Sequence, residues 1–272
     1  MWNLDLRCFL LGGLLIASSL GAQTPPAKPP VLAPVLLPGE GLAMASADGR
    51  IGLYGEASRE HPMGSLAKLV WLRLEGDEWG SAGVEFKCTG TLGPYTCWLK
   101  KGHGRVDLEK ALQESCNLAF LAWAVDSSEE WKHYLGDGAG RLRLEEAFSP
   151  FLGNRLPTGD AIPVMTPEWV GDGDLLRTSP EAMLKWLTDT NQELLLAKCR
   201  RYLLGSFKKS FLKEGASWWI KTGTAPVVGE PGVTSAWAAG SDGKVVAVLH
   251  LPRGRGRAEG LERFKQLMHL TP

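Results

Sequence analysis

β-favouring runs broken by short glycine-containing turns stand at both ends of this chain, and apolar residues at helical spacing fill the middle. Leu42 to Ala47 and Arg50 to Tyr54 flank Asp48-Gly49, while Trp237 to Gly240 and Val245 to Leu251 flank Ser241-Asp242-Gly243-Lys244. Both arrangements predict hairpins. Trp218-Trp219-Ile220 predicts a further strand, with Lys221 and Thr222 near its end and just before the second hairpin. Between these ends, Leu66, Leu69, Val70 and Leu72 recur at helical spacing. Val106 to Glu114 and Asn117 to Val125 also read as helices, and Ser179-Pro180 caps a helix over Glu181 to Thr188. A last helix, Ala258 to Leu270, gathers Leu261, Phe264, Leu267 and Met268 on one face. The expected fold is α+β: an antiparallel sheet built from both chain ends, flanking helices and a helical subdomain.

Three short strings supply candidate chemistry: Ser65-Leu66-Ala67-Lys68, Ser115-Cys116-Asn117 and Lys221-Thr222-Gly223-Thr224. The first pattern, Ser-x-x-Lys, also occurs at Ser206 to Lys209 and Ser210 to Lys213. Context separates them. The apolar spacing after Ser65 puts that serine in the first turn of a buried helix, near its positive end, with Lys68 one turn away on the same face. Ser206 and Ser210 follow Gly205, which reads as a helix end, and stand among lysines of a surface segment. Lys68 becomes a base when burial and a second cation, Lys221, destabilise its ammonium form. Gly223 permits close backbone approach, so that Lys221, Thr222 and Thr224 can hold a substrate carboxylate while the backbone N–H groups of Ser65 and Thr224 form an oxyanion hole. Ser115 offers a hydroxyl as proton shuttle, and Asn117 an amide for the substrate backbone. Together the strings describe serine acyl transfer at the seam of sheet and helices.

The same strings, in the same order, resemble those of penicillin-binding proteins and serine β-lactamases. The succession Phe86-Lys87-Cys88, Cys97-Trp98, Gly102 to Leu108, Ala111-Leu112 and Ser115-Cys116-Asn117 resembles the transpeptidase domain of class B penicillin-binding proteins, particularly the elongation type. Gly171-Asp172-Gly173-Asp174-Leu175-Leu176 resembles the Gly-Gln-Gly segment of these enzymes, with Asp172 in place of the glutamine. The resemblance covers most of Gly41 to the C-terminus. It implies a penicillin-recognising, β-lactamase-like fold, with peptidoglycan stem peptides as substrates, β-lactam antibiotics as ligands and other cell-wall enzymes as partners. The family's large pedestal domain has no counterpart before Gly41, and the interval from Asn117 to Lys221 is short for the family.

Composition narrows the setting. Thirty basic and thirty acidic side chains balance, and Arg253 to Arg257 is too short a basic cluster to argue a nucleic-acid surface. Met1 to Gln23 reads as a secretory signal: Arg7 ends the n-region, Cys8 to Leu20 is apolar, and Gly21-Ala22 offers small residues for cleavage. A cut after Ala22 leaves residues 23–40 as a proline-rich linker, with six prolines between Thr24 and Pro38, and 41–272 as the catalytic domain. Export, to a periplasmic or other extracytoplasmic space, puts the protein where peptidoglycan is; an uncleaved signal would leave it membrane-associated.

Four cysteines follow the signal. An oxidising compartment allows a Cys88 to Cys97 disulfide. Alternatively, Cys88, Cys97, His103 and Cys116 form a Cys3His set suited to a structural tetrahedral zinc, and the stretch resembles a metal-binding loop of elongation-type enzymes. Catalysis itself calls for no cofactor. Cys199 reads as a buried thiol. Deacylation separates the functional readings: a D-alanyl-D-alanine transpeptidase or carboxypeptidase, a β-lactamase, or a non-catalytic penicillin-binding module or sensor. A class A enzyme would need Glu145 or Glu146 to activate water, and a class D enzyme a carbamylated Lys68 in an apolar pocket near Trp169.

Overall fold

The computed structural model describes residues 34–155, 158–204 and 218–269. The expected signal, most of the linker, both alternative Ser-x-x-Lys strings and Leu270 lie outside them. In chain order the elements are β1 (Gly41–Ser46), β2 (Ile51–Gly55), β3 (His61–Pro62), α1 (Ala67–Ser81), β4 (Phe86–Cys88), β5 (Thr91–Leu92), β6 (Tyr95–Thr96) and β7 (Gly104–Val106). Then come α2 (Leu108–Gln113), α3 (Asn117–Tyr134), α4 (Asp137–Leu152), β8 (Arg177–Thr178), α5 (Pro180–Thr188) and α6 (Glu193–Leu203). The chain returns through β9 (Trp219–Pro226), β10 (Thr234–Ser241), β11 (Val245–Leu251) and α7 (Leu261–Leu267).

Both chain ends build one five-stranded sheet in the order β2-β1-β11-β10-β9, antiparallel throughout. Successive residues of a strand face opposite ways, and the sheet divides two cores accordingly. Leu42, Ile220, Ala236, Ala238, Ala247 and Leu249 pack with Leu261 and Phe264 of α7 on one side. Ala43, Trp219, Trp237, Ala239 and Val248 join the larger helical core on the other. The α+β architecture expected of the sequence is the one present.

Several boundaries differ from the expectation: Val106 ends strand β7 instead of opening a helix, because Asp107 caps α2 by accepting from Lys110 N. Lys221 is the third of eight residues in β9, not near its end, because the strand continues to Pro226 in register with β10. Helix α3 runs past Val125 to Tyr134. The polar run Asp126 to Glu130 interrupts the apolar period, yet Ser127 is buried and accepts a hydrogen bond from Trp79 Nε1 at 3.1 Å. The last helix starts late: Gly256–Gly260 forms a wider π-helical turn before α7, with Gly260 N donating to Arg255 O. At the other end of the chain, Arg263 of α7 grips the Glu40 carboxylate at 2.8 Å and the Val35 carbonyl at 2.7 Å, so the last residues of the expected linker dock on the domain.

Candidate active site

Ser65 sits in a single 3-10 turn, Gly64–Leu66, that leads into α1. Two glycines press this turn against β9, the edge strand. Gly64 has φ +55°, and a Cβ there would stand 2.6 Å from the Thr224 carbonyl oxygen. A Cβ on Gly223 would come within 3.2 Å of the Ser65 nitrogen. Gly64 therefore needs the bare α-carbon, for the contact and for its left-handed backbone, while a side chain at Gly223 would be a tight fit. The close approach brings Ser65 beside the Lys221–Thr224 string, as the spacing of motifs required.

Lys68 is fully buried and points back at Ser65. Its Nζ lies 3.0 Å from Ser65 Oγ, 2.6 Å from Asn117 Oδ1 and 3.0 Å from the Val170 carbonyl oxygen. Burial pushes its pKa down to about 8, against a smaller upward pull from neighbouring acidic groups, the Asp172 carboxylate among them. On the order of a tenth of the amine is thus neutral near pH 7, far more than for an ordinary lysine, and a neutral amine accepts a proton from the serine hydroxyl.

Lys221 shares the cleft. Alternation along β9 sends its side chain to the helical side, where Nζ donates to Ser115 Oγ at 2.5 Å and to the Thr222 carbonyl at 2.8 Å. Burial, followed by the charge of Lys68, holds its pKa well below the usual lysine range. Burial is the first cause for both amines, and the mutual repulsion of the two ammonium groups adds to it.

Ser115 joins α2 to α3 with φ +53°, a left-handed conformation that a non-glycine residue adopts at a cost of about 1–3 kcal/mol. The turn places Ser115 and Asn117 on the cleft side and buries Cys116 behind them. Asn117 Nδ2 donates to Asp172 Oδ2 at 3.3 Å. An acceptor-only carboxylate there sets the amide so that its oxygen faces Lys68. Thr222 is buried, whereas Thr224 is exposed and its Oγ1 accepts from Gly256 N at 2.9 Å.

Two contributors were not read as site residues. Asp172 stood out only as a departure from a Gly-Gln-Gly pattern; it reaches the site because Gly171 (φ +90°) packs on the Gly64 carbonyl. Arg257 was one member of a short basic cluster. Its guanidinium pairs with Glu114 at 3.2 Å, beside Ser115, and its charge adds to the depression of the Lys221 pKa. The two glutamates weighed as water activators are elsewhere. Glu145 pairs with Arg141 at 2.7 Å, and Glu146 lines a separate hollow with Arg73, Arg143 and Lys198.

Behind the cleft, the ligand atoms of Cys88, Cys97, His103 and Cys116 all lie within 4.8 Å of one another. The cysteines are thiols, so Cys88 and Cys97 are not bridged, and Cys199 is buried elsewhere. Cys97 Sγ is 3.4 Å from His103 Nδ1, while the buried His103 Nε2 lacks a hydrogen-bond partner. Burial raises the Cys116 pKa to about 12 and raises that of Cys97. Burial also acts on Cys88, but backbone N–H groups of His103 and Gly90 outweigh it and favour the thiolate. Three sulfurs and one imidazole in this space fit tetrahedral zinc.

Solved structures share this architecture. Penicillin-binding protein A from Mycobacterium tuberculosis, solved as a ceftriaxone acyl-enzyme complex, matches at 14% identity with a TM-score of 0.62, over 85% of this chain and 73% of that one. Penicillin-binding protein 2 from Pseudomonas aeruginosa, in complex with WCK 5153, matches at 15% identity and TM-score 0.56, over 84% and 72%. The class D β-lactamase FUS-1 from Fusobacterium nucleatum matches at 14% identity and TM-score 0.53, over 86% and 93%. The fold is that of the penicillin-binding proteins and serine β-lactamases. No protein-family model matches the chain, and no curated protein sequence matches it. Among the described residues no helix is long and apolar enough to cross a membrane.

Proposed function

We propose that the protein is a penicillin-binding serine D-alanyl-D-alanine transpeptidase or carboxypeptidase of the elongation-type class, exported to act on peptidoglycan stem peptides. The observation that carries this reading is the buried Lys68 amine, 3.0 Å from Ser65 Oγ, with a pKa lowered to about 8. Ser65 Oγ attacks the carbonyl carbon between the two D-alanines as its proton passes to Lys68. Backbone N–H groups of Ser65 and Thr224 receive the developing oxyanion. Lys221 and Ser115, joined by their hydrogen bond, deliver a proton to the departing D-alanine nitrogen, and the C–N bond breaks to leave a Ser65 ester. An acceptor amine or water then releases the acyl group.

Fate of the ester favours slow hydrolysis of β-lactams. Val170 O, Asn117 Oδ1 and Ser65 Oγ already surround Lys68 Nζ, which argues against a carbamate on that nitrogen. Trp169 lies nearby in sequence but is buried, its carbonyl accepting from Trp71 Nε1 at 2.8 Å. Incubating the protein with a fluorescent penicillin and a chromogenic cephalosporin tests the reading. Stable labelling at Ser65 without colour change is the expected outcome; rapid hydrolysis would replace it with a β-lactamase.

The Cys88, Cys97, His103 and Cys116 set is proposed to hold zinc in a structural role, its four protein ligands leaving no open position for chemistry. Bound there, the ion supplies a cross-link that braces the Ser115 turn through Cys116. Metal analysis of protein purified without chelator checks this, with one equivalent of zinc expected.

A further inference from the structure

A hollow of about 320 Å³ lies between α1, α4 and α6 and shares no lining residue with the acyl site. Two ion pairs, each with one buried partner, tie its walls together. Arg143 of α4 reaches α1 through the fully buried Glu75 carboxylate at 2.5 Å and the Leu74 carbonyl at 3.3 Å. Lys198 of α6, itself buried, reaches the same helix through Asp77 at 3.1 Å and the Leu72 carbonyl at 3.4 Å. Both of these cations are therefore matched. Two charges on the walls are not: the half-buried Arg73 guanidinium on α1 and the exposed Glu146 carboxylate on α4. Among the described residues neither forms an ion pair, with the other or with a third group. Leu74, Leu195 and Leu194 supply apolar surface between them, and Leu194 is 61% exposed.

We infer that this hollow binds a free α-amino acid with an aliphatic side chain, its carboxylate on Arg73 and its ammonium on Glu146. The inference does not depend on the chemistry at Ser65. A guanidinium fork receives a carboxylate through two parallel N–H···O bonds, and an ammonium group donates a charged hydrogen bond to a carboxylate. A zwitterion satisfies both walls at once. A simple anion such as phosphate would meet Glu146 as a like charge, and a simple amine would meet Arg73 in the same way. The aliphatic chain takes Leu194 and its neighbours out of water. The volume holds one residue of leucine size together with several waters. Because the two ion pairs already fix the three helices around the hollow, the walls are in place before the ligand arrives.

Calorimetric titration of the full chain near pH 7 with leucine, N-acetylleucine and leucinamide tests the inference, each in both enantiomers. N-acetylleucine lacks the ammonium group, and leucinamide lacks the carboxylate. At least one enantiomer of leucine is expected to bind saturably, and each derivative about tenfold more weakly, the worth of one hydrogen bond to a charged group. Those differences narrow at high salt. Glycine, without the aliphatic chain, is also expected to bind more weakly than leucine. Two variants assign the contacts. In Arg73→Gln leucine and leucinamide should bind alike, whereas in Glu146→Gln leucine and N-acetylleucine should. Each ratio is taken within one variant, so a general loss of stability cancels. No saturable binding of leucine, equal binding of leucine and its two derivatives, or ratios unchanged in the variants overturns the site.

Discussion

Ser115-Cys116-Asn117 is shared by two polar clusters that the protein holds together in opposite ways. On the cleft side, each polar group finds a protein partner: Lys221 with Ser115, Lys68 with Ser65 and Asn117, Asn117 with Asp172. Behind it, Cys116 faces two thiols and an imidazole whose Nε2 has no partner. The first cluster is complete without any added group, but at the expense of two buried amines of lowered pKa and a left-handed Ser115. The second leaves one buried imidazole nitrogen without a protein partner. One cluster stores strain for chemistry, while the other has the donor set to hold the strained turn in place.

Removing the nucleophile is the sharpest way to break this comparison. Ser65→Ala is expected to abolish covalent penicillin labelling, read on a denaturing gel, while leaving zinc content unchanged. Lys68→Met comes next. Acylation should fall by about 10²- to 10⁴-fold, as for loss of a general base. Stability should rise, because a buried amine that resists protonation is replaced by an apolar chain of similar length. A thermal melt showing Lys68→Met below the parent protein would contradict the claim that this site stores strain.

On the other side of the tripeptide, Cys116→Ser or a chelator should lower the melting midpoint by several degrees and slow acylation through loosening of Ser115 and Asn117. Full activity after verified metal loss would separate the two clusters. The pH dependence sharpens the cleft side. With a Lys68 pKa of about 8, below the ordinary 10.5, the neutral amine fraction grows about tenfold per unit as pH rises towards 8 and then levels. The rate constant for penicillin acylation, followed by fluorescence from pH 6 to about 10, should trace that curve. The same shift makes the unfolded chain bind more protons between about pH 8 and 10.5, so this group's contribution to stability rises with pH across that window.

The smallest expected effect lies under the nucleophile turn. His61 and His250 stack with ring centroids 3.7 Å apart against Trp237, whose Nε1 donates to the Pro62 carbonyl at 2.8 Å. Burial lowers His61 to about 4 and His250 to about 3, with Arg59 adding to both. Depressed histidine values mean that the unfolded chain binds more protons below about pH 6.5. Stability supported by the neutral pair is full above that pH and declines as pH falls towards 4 and 3. His250→Phe should flatten this part of a stability–pH profile without moving the acylation curve near pH 8.

Much of the fold was legible where the signal is local. Asp48-Gly49 and Asp242-Gly243 are turn chemistry, and Ser179 caps α5 as its sequence implies, accepting from Ala182 N at 3.0 Å. Legibility failed where a distant partner overrides the local pattern. Ser127 extends α3 because Trp79 supplies a hydrogen bond from another helix, and the chain before α7 widens where Gly256 meets the Gly223 peptide. At the site, residue types were readable but charge balance was not. Asp172 lies 55 residues from Asn117 along the chain, and Arg257 lies 143 from Glu114.

By itself, the sequence determined which groups are present: three motif strings in order, a Cys3His set, two β-rich ends and a helical middle. Those follow from spacing and turn residues, which act over a few positions. Tertiary structure decided what the groups do to one another. It buried Lys68 deeply enough to lower its pKa, set a second buried amine, Lys221, where the two repel each other, turned Asn117 with Asp172 and left that carboxylate beside a cleft. Burial and charge interactions act through space, and only the folded chain sets those distances.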